Sequence, residues 1–322
     1  MKHEVKIVAL LLGMFIATQL IGLVVIDAYD FRTTTVIENG VEKNVTTGNQ
    51  LPYDLQPPEI KPEISLLSIF FSFFIAIMLF LLLTRLRADI LINIWFAFVV
   101  FTTMAVSITA LLYKFLPQYG LNFAIVALVI AIPLTFFKVY KKNIVVHNAT
   151  EILVYPGLAA IFVPILRPWS IILLLFAISA YDMWAVWRSS FMVNLAKYQI
   201  KNLKIFTGFF VPYMSKKDAE KLEKMKVKVV KGRSMSAKMK KKGDHKIRVS
   251  LALLGGGDVA FPLIFAGVVM RASGLTDALI IVAGATIALI GLFLYSKKGK
   301  FYPAMPFITA GCLIAWLVGL IV

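Results

Sequence analysis

Cysteine, histidine and acidic side chains are all scarce in this 322-residue chain. The single cysteine, Cys312, excludes an intrachain disulfide framework and any cysteine metal cluster. The three histidines, His3, His147 and His245, fall outside the apolar runs, so they form neither a His-x-x-x-His zinc site nor a Ser/His pair within a membrane. No cofactor is expected. Charged residues make up only 16% of the chain against 60% hydrophobic, and the mean hydropathy is +0.84. A water-soluble domain of this length could not hide so much apolar surface in one core. An all-α, polytopic membrane protein is the expected class.

What is abundant is the apolar run of about 20 residues, the length that crosses roughly 30 Å of hydrocarbon as a helix. Nine such spans stand between charged punctuation: Ile7 to Ile26, Ile64 to Leu83, Ile90 to Leu112, Leu121 to Phe137, Ile152 to Leu166, Trp169 to Trp187, Val249 to Met270, Thr276 to Tyr295 and Pro303 to Val322. The first follows Lys2 and Lys6 as a signal peptide would, but its length and the lack of a small-x-small cleavage site read as an anchored span. The chain thus divides into residues 1–187 with six spans and the loop 27–63, the basic segment 188–248, and residues 249–322 with three spans.

The net charge of +17 would suggest nucleic acid if the basic residues were clustered on a soluble domain, but they sit between the spans. With nine spans the termini lie on opposite sides. The N-terminal side then holds 28 of the 34 Lys and Arg and the other side 6, and the short loops agree, so the N-terminus is expected in the cytoplasm and the C-terminus outside. Segment 188–248 carries 18 basic residues. Its expected partner is the anionic headgroup surface, at about 1 kcal/mol per residue close to it, and no nucleic acid. Within it Ser215 to Met225 reads as an amphipathic helix and Lys226 to Val229 alternates like a strand. Loop 27–63 is acidic and proline-bearing, with the sequon Asn44-Val45-Thr46, and reads as a solvated external loop.

Fifteen of the 17 acidic residues lie in loops or at span edges, Glu151 among them; the other two are Asp182 in the sixth span and Asp258 in the seventh. Each costs about 2.5–3.5 kcal/mol to insert, so neither should face lipid. Asp182 lies six residues before Arg188, or about 9 Å along a helix, and Asp258 ten residues after Arg248, or about 15 Å. Adjacent antiparallel spans would bring them together at similar depth. Two carboxylates so placed share one proton, so that one partner can deprotonate a water while the other donates to a carbonyl oxygen. A proton or cation pathway in a transporter or channel needs buried carboxylates equally, and these two residues alone leave both readings open.

The neighbouring residues narrow the choice. Asp258 closes Leu254-Gly255-Gly256-Gly257-Asp258, three glycines expected on a membrane helix, where small residues allow close backbone approach. The ninth span opens with Pro303-Ala304-Met305-Pro306, whose prolines lack amide donors and predict an irregular start. Backbone of that kind at membrane depth is tolerated where it lines a cavity.

Together these elements carry a resemblance. Tyr181-Asp182 resembles the Tyr-Asp motif of the presenilin and signal peptide peptidase family, Gly255-Gly256-Gly257-Asp258 its Gly-x-Gly-Asp motif, and Pro303-Ala304-Met305 its Pro-Ala-Leu motif, with Met305 where the family usually has Leu. They stand in the sixth, seventh and ninth of nine spans, as in that family. The resemblance implies a presenilin-like fold and an intramembrane aspartyl protease that cuts transmembrane segments or signal peptides, with Asp182 and Asp258 as the catalytic pair. It also implies supporting roles for Tyr181, Gly255, Gly257, Pro303, Ala304 and Met305. The orientation read from charge is the presenilin one, and the compact loops resemble an archaeal-type homologue. A second copy of the chain is a further candidate partner. On a regular helix Tyr181 points about 100° away from Asp182, so a gating or packing role stands level with a direct hydrogen bond to the acid. A helical substrate must unwind before it is cut, and Ile247-Arg248-Val249 or Lys226 to Val229 are the segments expected to pair with it as an added strand. Prepilin-type peptidases also use a Gly-x-Gly-Asp acid, but the nine-span layout and Pro303-Ala304-Met305-Pro306 argue against them. A transporter commonly shows an internal repeat, which this chain lacks.

Overall fold

The structure is a computed structural model that describes residues 5–29, 32–38, 41–47, 51–53, 55, 65–86, 88–116, 122–141, 143–187, 207–214, 249–296 and 302–321. The Ser215 to Met225 helix and the Lys226 to Val229 strand read from the sequence lie outside them. Among the described residues are nine α-helices: α1 (Val5–Ala28), α2 (Ser65–Arg85), α3 (Asp89–Phe115), α4 (Phe123–Tyr140), α5 (Ile144–Phe162), α6 (Pro168–Trp187), α7 (Gly256–Ser273), α8 (Leu275–Tyr295) and α9 (Met305–Gly319). Seven, α1 and α3 to α8, are long and apolar enough to cross a membrane. The 21 residues of α2 are just as apolar in sequence, and α9, at 15 residues, is shorter.

Two antiparallel strand pairs complete the chain. β1 (Arg32–Glu38) pairs with β2 (Val41–Thr47), so part of loop 27–63 is strand. Asn39-Gly40 between them is the sequence favoured in two-residue hairpin connections. β3 (Gly208–Met214) pairs with β4 (Val249–Gly255), with Gly208 opposite Gly255.

The centre of the bundle is α7, which packs against α1, α5, α6, α8 and α9. Its apolar side chains from Val259 to Val269 are almost all buried, which is what a helix hydrophobic all round requires. Lipid tails are as apolar as leucine, so close packing and polar ties hold such helices together. A Cβ at Gly157 of α5 would collide with the Thr103 carbonyl of α3. On α8 and α9, a Cβ at Gly284 or at Gly311 would each come 2.6 Å from the other glycine's carbonyl oxygen. Among the polar ties, Gln19 Nε2 donates to the Val259 carbonyl at 2.9 Å and Tyr29 Oη to the Val106 carbonyl at 2.7 Å.

Contacts between helix ends give the alternation of the spans. The end of α1 meets the end of α3 through Asp27 and Lys114, 2.6 Å apart. The start of α6 meets the end of α9 through the edge-to-face rings of Trp169 and Trp316. Asp182, Asp258 and the start of α9 therefore gather at the opposite end of the bundle.

Three span starts differ from the sequence reading. The fifth helix begins at Ile144 rather than Ile152, because the Asn143 side chain accepts the Val145 amide at 2.9 Å and caps it. That places His147, expected outside the spans, and Glu151, expected at an edge, within a helix, and both are buried. The seventh helix begins at Gly256, since Val249–Gly255 is strand, so the three glycines form a strand-to-helix junction rather than a stretch of membrane helix. The ninth begins at Met305, after Pro303 and Ala304.

Replacing Gly311 by Leu should wedge α8 from α9 and lower stability by about 1–3 kcal/mol. A depressed melting temperature of the detergent-purified variant is the measurement; an unchanged melt would contradict the close crossing.

Candidate active site

Asp182 lies five residues before the end of α6, with its side chain buried. Its Oδ2 accepts the backbone amide of Met305 at 3.1 Å, and the Ala304 amide also faces the carboxylate. The first amides of any helix lack partners within it, and in apolar surroundings each needs an acceptor. The carboxylate of one helix thus caps the start of another. Pro306, near the start of α9, removes one further donor from that turn. One turn along, Ser179 of α6 and Thr309 of α9 join their hydroxyls at 2.8 Å, both buried. The two helices are fastened at two successive levels.

Asp258 occupies the first turn of α7, where Gly255 is the N-cap with φ −63° and ψ 147°. As the third helical residue it can reach back to the cap amide, and the Gly255 amide does face its carboxylate. A Cβ at Gly255 would come 2.9 Å from Asp258 Oδ2, so that position has no room for a side chain. At Gly256 a Cβ would come 2.7 Å from Tyr155 Oη of α5. Gly257 is looser, because a Cβ there would make an ordinary 3.5 Å contact with Phe261. The motif's middle position is therefore sterically tighter than the glycine beside the acid.

α6 packs on α7, and both pack on α9. The geometry thus brings together Asp182, Ala304 and Met305, with Pro303 buried just before them, and sets Gly255 against Asp258 on the helix packed beside them. It does not bring Tyr181 to the acids. That side chain is exposed, with its ring 6.3 Å from Trp184 on the same helix. The residues not anticipated are Ser179 and Thr309, Gln19 beside the Asp258 turn, and a polar group on α4 and α5 formed by Lys138, His147, Asn148 and Glu151. One signal for the last group was in the sequence: Asn143 is a helix-capping residue, and a helix started there puts His147 and Glu151 on one face.

A family model described as Signal-peptide peptidase, presenilin aspartyl protease matches residues 54–322. The chain belongs to this family and is an intramembrane aspartyl protease, an aspartic endopeptidase. The fold is similar to a solved structure titled a presenilin family intramembrane aspartate protease in the C222 space group, with 17% identity, a TM-score of 0.60 and 98% of each chain covered. A structure of the same description in the P2 space group is similar at 19% identity and a TM-score of 0.56, covering 97% of this chain and 96% of that one. A search of curated proteins finds no match. Family membership decides between the two readings the buried acids left open, in favour of the peptidase over the transporter.

The glycine geometry orders two variants. Gly255→Ala should reduce cleavage more than Gly257→Ala, because only the former forces the Asp258 carboxylate to move. Cleavage rates of the two, at matched helical circular dichroism, make the comparison, and the reverse order would contradict the packing described.

Proposed function

We propose that Asp182 and Asp258 are the catalytic pair and that the chain hydrolyses peptide bonds within membrane-spanning substrates without a covalent intermediate. The pair holds one proton. A water between the two carboxyls loses a proton to the ionised partner and attacks the scissile carbonyl carbon, while the protonated partner donates to the carbonyl oxygen. In the collapse of the gem-diol, the newly protonated carboxyl gives its proton to the leaving amine while a diol hydroxyl gives its proton to the other carboxylate, so the pair again holds one proton. The observation that carries the reading is that the two acid-bearing helices, α6 and α7, pack on each other and on α9, whose opening amide is bound by Asp182. The amide donors of Met305 and Ala304 support it by orienting Asp182.

A transmembrane helix conceals its amides in its own hydrogen bonds, so the scissile segment must be extended when it reaches the acids. β4 runs directly into the Gly255 to Asp258 turn, and among the described residues its ladder partner is β3 alone. Its second edge is suited to receive an unwound segment as an added strand, with main-chain hydrogen bonds for affinity. Of the segments expected for this task, Val249 opens β4. Tyr181, on the exposed face of α6, is suited to contact the arriving helix.

The charge distribution supports an orientation with the N-terminus in the cytoplasm and the acids towards the cytoplasmic side, with segment 188–248 against anionic headgroups. The compact loops are in keeping with an archaeal-type homologue.

Asp182→Asn and Asp258→Asn should each abolish cleavage of a reconstituted single-span substrate while the protein stays folded, and full activity in either would refute the assignment. Mass spectrometry of the products, with and without a hydroxyl-containing aspartyl-protease inhibitor, should place the cut inside the apolar segment and show its loss with inhibitor.

A further inference from the structure

The polar group on α4 and α5 takes no part in the chemistry above, yet it holds the strand pair that leads into Asp258. Asn148 meets Phe210 of β3 twice, with Nδ2 donating to the Phe210 carbonyl at 2.9 Å and Oδ1 accepting the Phe210 amide at 3.2 Å. His147 Nε2 lies 2.9 Å from the Gly208 carbonyl oxygen, and the Gly208 amide points to Glu151 Oε1 at 3.5 Å. These side chains give the outer edge of β3 the ladder that another strand would otherwise supply. Behind them Lys138 of α4 pairs with the same Glu151 oxygen at 2.8 Å, both side chains 1% exposed, and His147 Nε2 stands 3.4 Å from it.

Stability is a poor reason for this arrangement. An ion pair withdrawn from water gives no more stability than well-packed apolar groups of the same size, whereas it is well suited to fixing one arrangement among several. The β3–β4 ladder needs such fixing. It is short, and at the end that leads into Asp258 it has Gly208 opposite Gly255, a pair with no side chains to lock the register. A slip of one residue would turn every side chain of β4 to the other face and carry the Gly255 cap with it.

Gly208 is where the two sides meet. It is held by His147 and Glu151 on one side and pairs with Gly255 on the other. Its φ of +123° lies in the region open to glycine, and a Cβ on it would come 3.0 Å from the Gly256 amide nitrogen. Three residues beyond Gly255 stands Asp258. A continuous run of contacts therefore leads from Lys138 through Glu151, Gly208 and Gly255 to the acid. Tyr155, one turn beyond Glu151, backs the same turn with its buried hydroxyl against Gly256.

We propose that Lys138, His147, Asn148 and Glu151 form a positioning cluster that fixes the register of β3 on β4 and thereby holds Asp258 opposite Asp182; this rests on the reading of Asp258 as catalytic. The cluster acts through the strands and touches no reacting atom. Its loss should misplace Asp258 with little effect on substrate capture, so kcat falls and KM does not.

The test uses full-length protein in proteoliposomes with a single-span substrate. Lys138→Met combined with Glu151→Leu replaces the ion pair by apolar groups, whereas Lys138→Met combined with Glu151→Gln keeps an amide oxygen facing Gly208. The Leu pair should lower kcat on the order of 10- to 100-fold, with KM changed less than about 2-fold and the melting temperature close to that of the parent. The Gln pair should recover most of kcat. Asn148→Leu, at a half-buried site, should lower kcat in the same way, and it decides the question if the Leu pair fails to fold. Equal kcat in the Leu and Gln pairs, or parent-like kcat in Asn148→Leu, overturns the proposal. Asp258→Asn measured alongside separates the two ideas. Cleavage by that variant overturns the catalytic reading and the positioning role together, while an inactive Asp258→Asn beside unchanged cluster variants overturns the positioning role alone.

Discussion

The amide of Met305 opens a helix inside an apolar bundle, and it must find an acceptor that its own helix cannot supply. The carboxylate of Asp182, far away in sequence, is that acceptor. This bond does two things at once: it completes the start of α9, and it orients an acid that would otherwise be costly to bury. Ser179 and Thr309 repeat the tie one turn away, so the placement of Asp182 depends on two helices rather than on its own rotamer. Proline suits this place because the amide it lacks is one that the first turn of a helix could not have satisfied from within.

The second acid is placed by another device. Asp258 stands in the first turn after a strand, with a cap glycine too close to it to carry a side chain. Extended backbone is tolerated here because its groups are satisfied by β3, and β3 in turn by side chains of α5. A strand that ends at a carboxylate is well placed to present an extended peptide to it. In the mechanism proposed above, substrate presentation and acid placement share one element, and two acids on separately anchored helices supply the acid and the base.

Much of this was legible beforehand. Asp182 and Asp258 stood out because nearly every other acid fell in hydrophilic sequence, and the cost of burying a carboxylate makes the exceptions informative. Pro303 and Pro306 announced an irregular helix start through their missing amides. Glu151 is hard to single out from hydropathy because it sits just before the apolar run that begins at Ile152; the capping role of Asn143, which moves the helix start back to Ile144, is a local signal that hydropathy does not weigh. Leu251 to Leu254 read as helix since an uninterrupted apolar run suits a buried strand equally well. Tyr181 joins the candidate site by its position in a motif, and its ring stands on the exposed face of α6 beside Trp184.

Composition and the spacing of apolar and charged residues determined by themselves that the chain crosses a membrane and that Asp182 and Asp258 lie within its helices. Transfer of a side chain into hydrocarbon is a cost each residue bears singly, so it can be added along a sequence. Where α7 begins, which carboxylate receives the Met305 amide, and how Lys138 and Glu151 become tolerable by meeting each other were decided only in the tertiary structure. Those outcomes depend on pairs of groups far apart in the chain, and a hydrogen bond or an ion pair has no energy until both partners are in place.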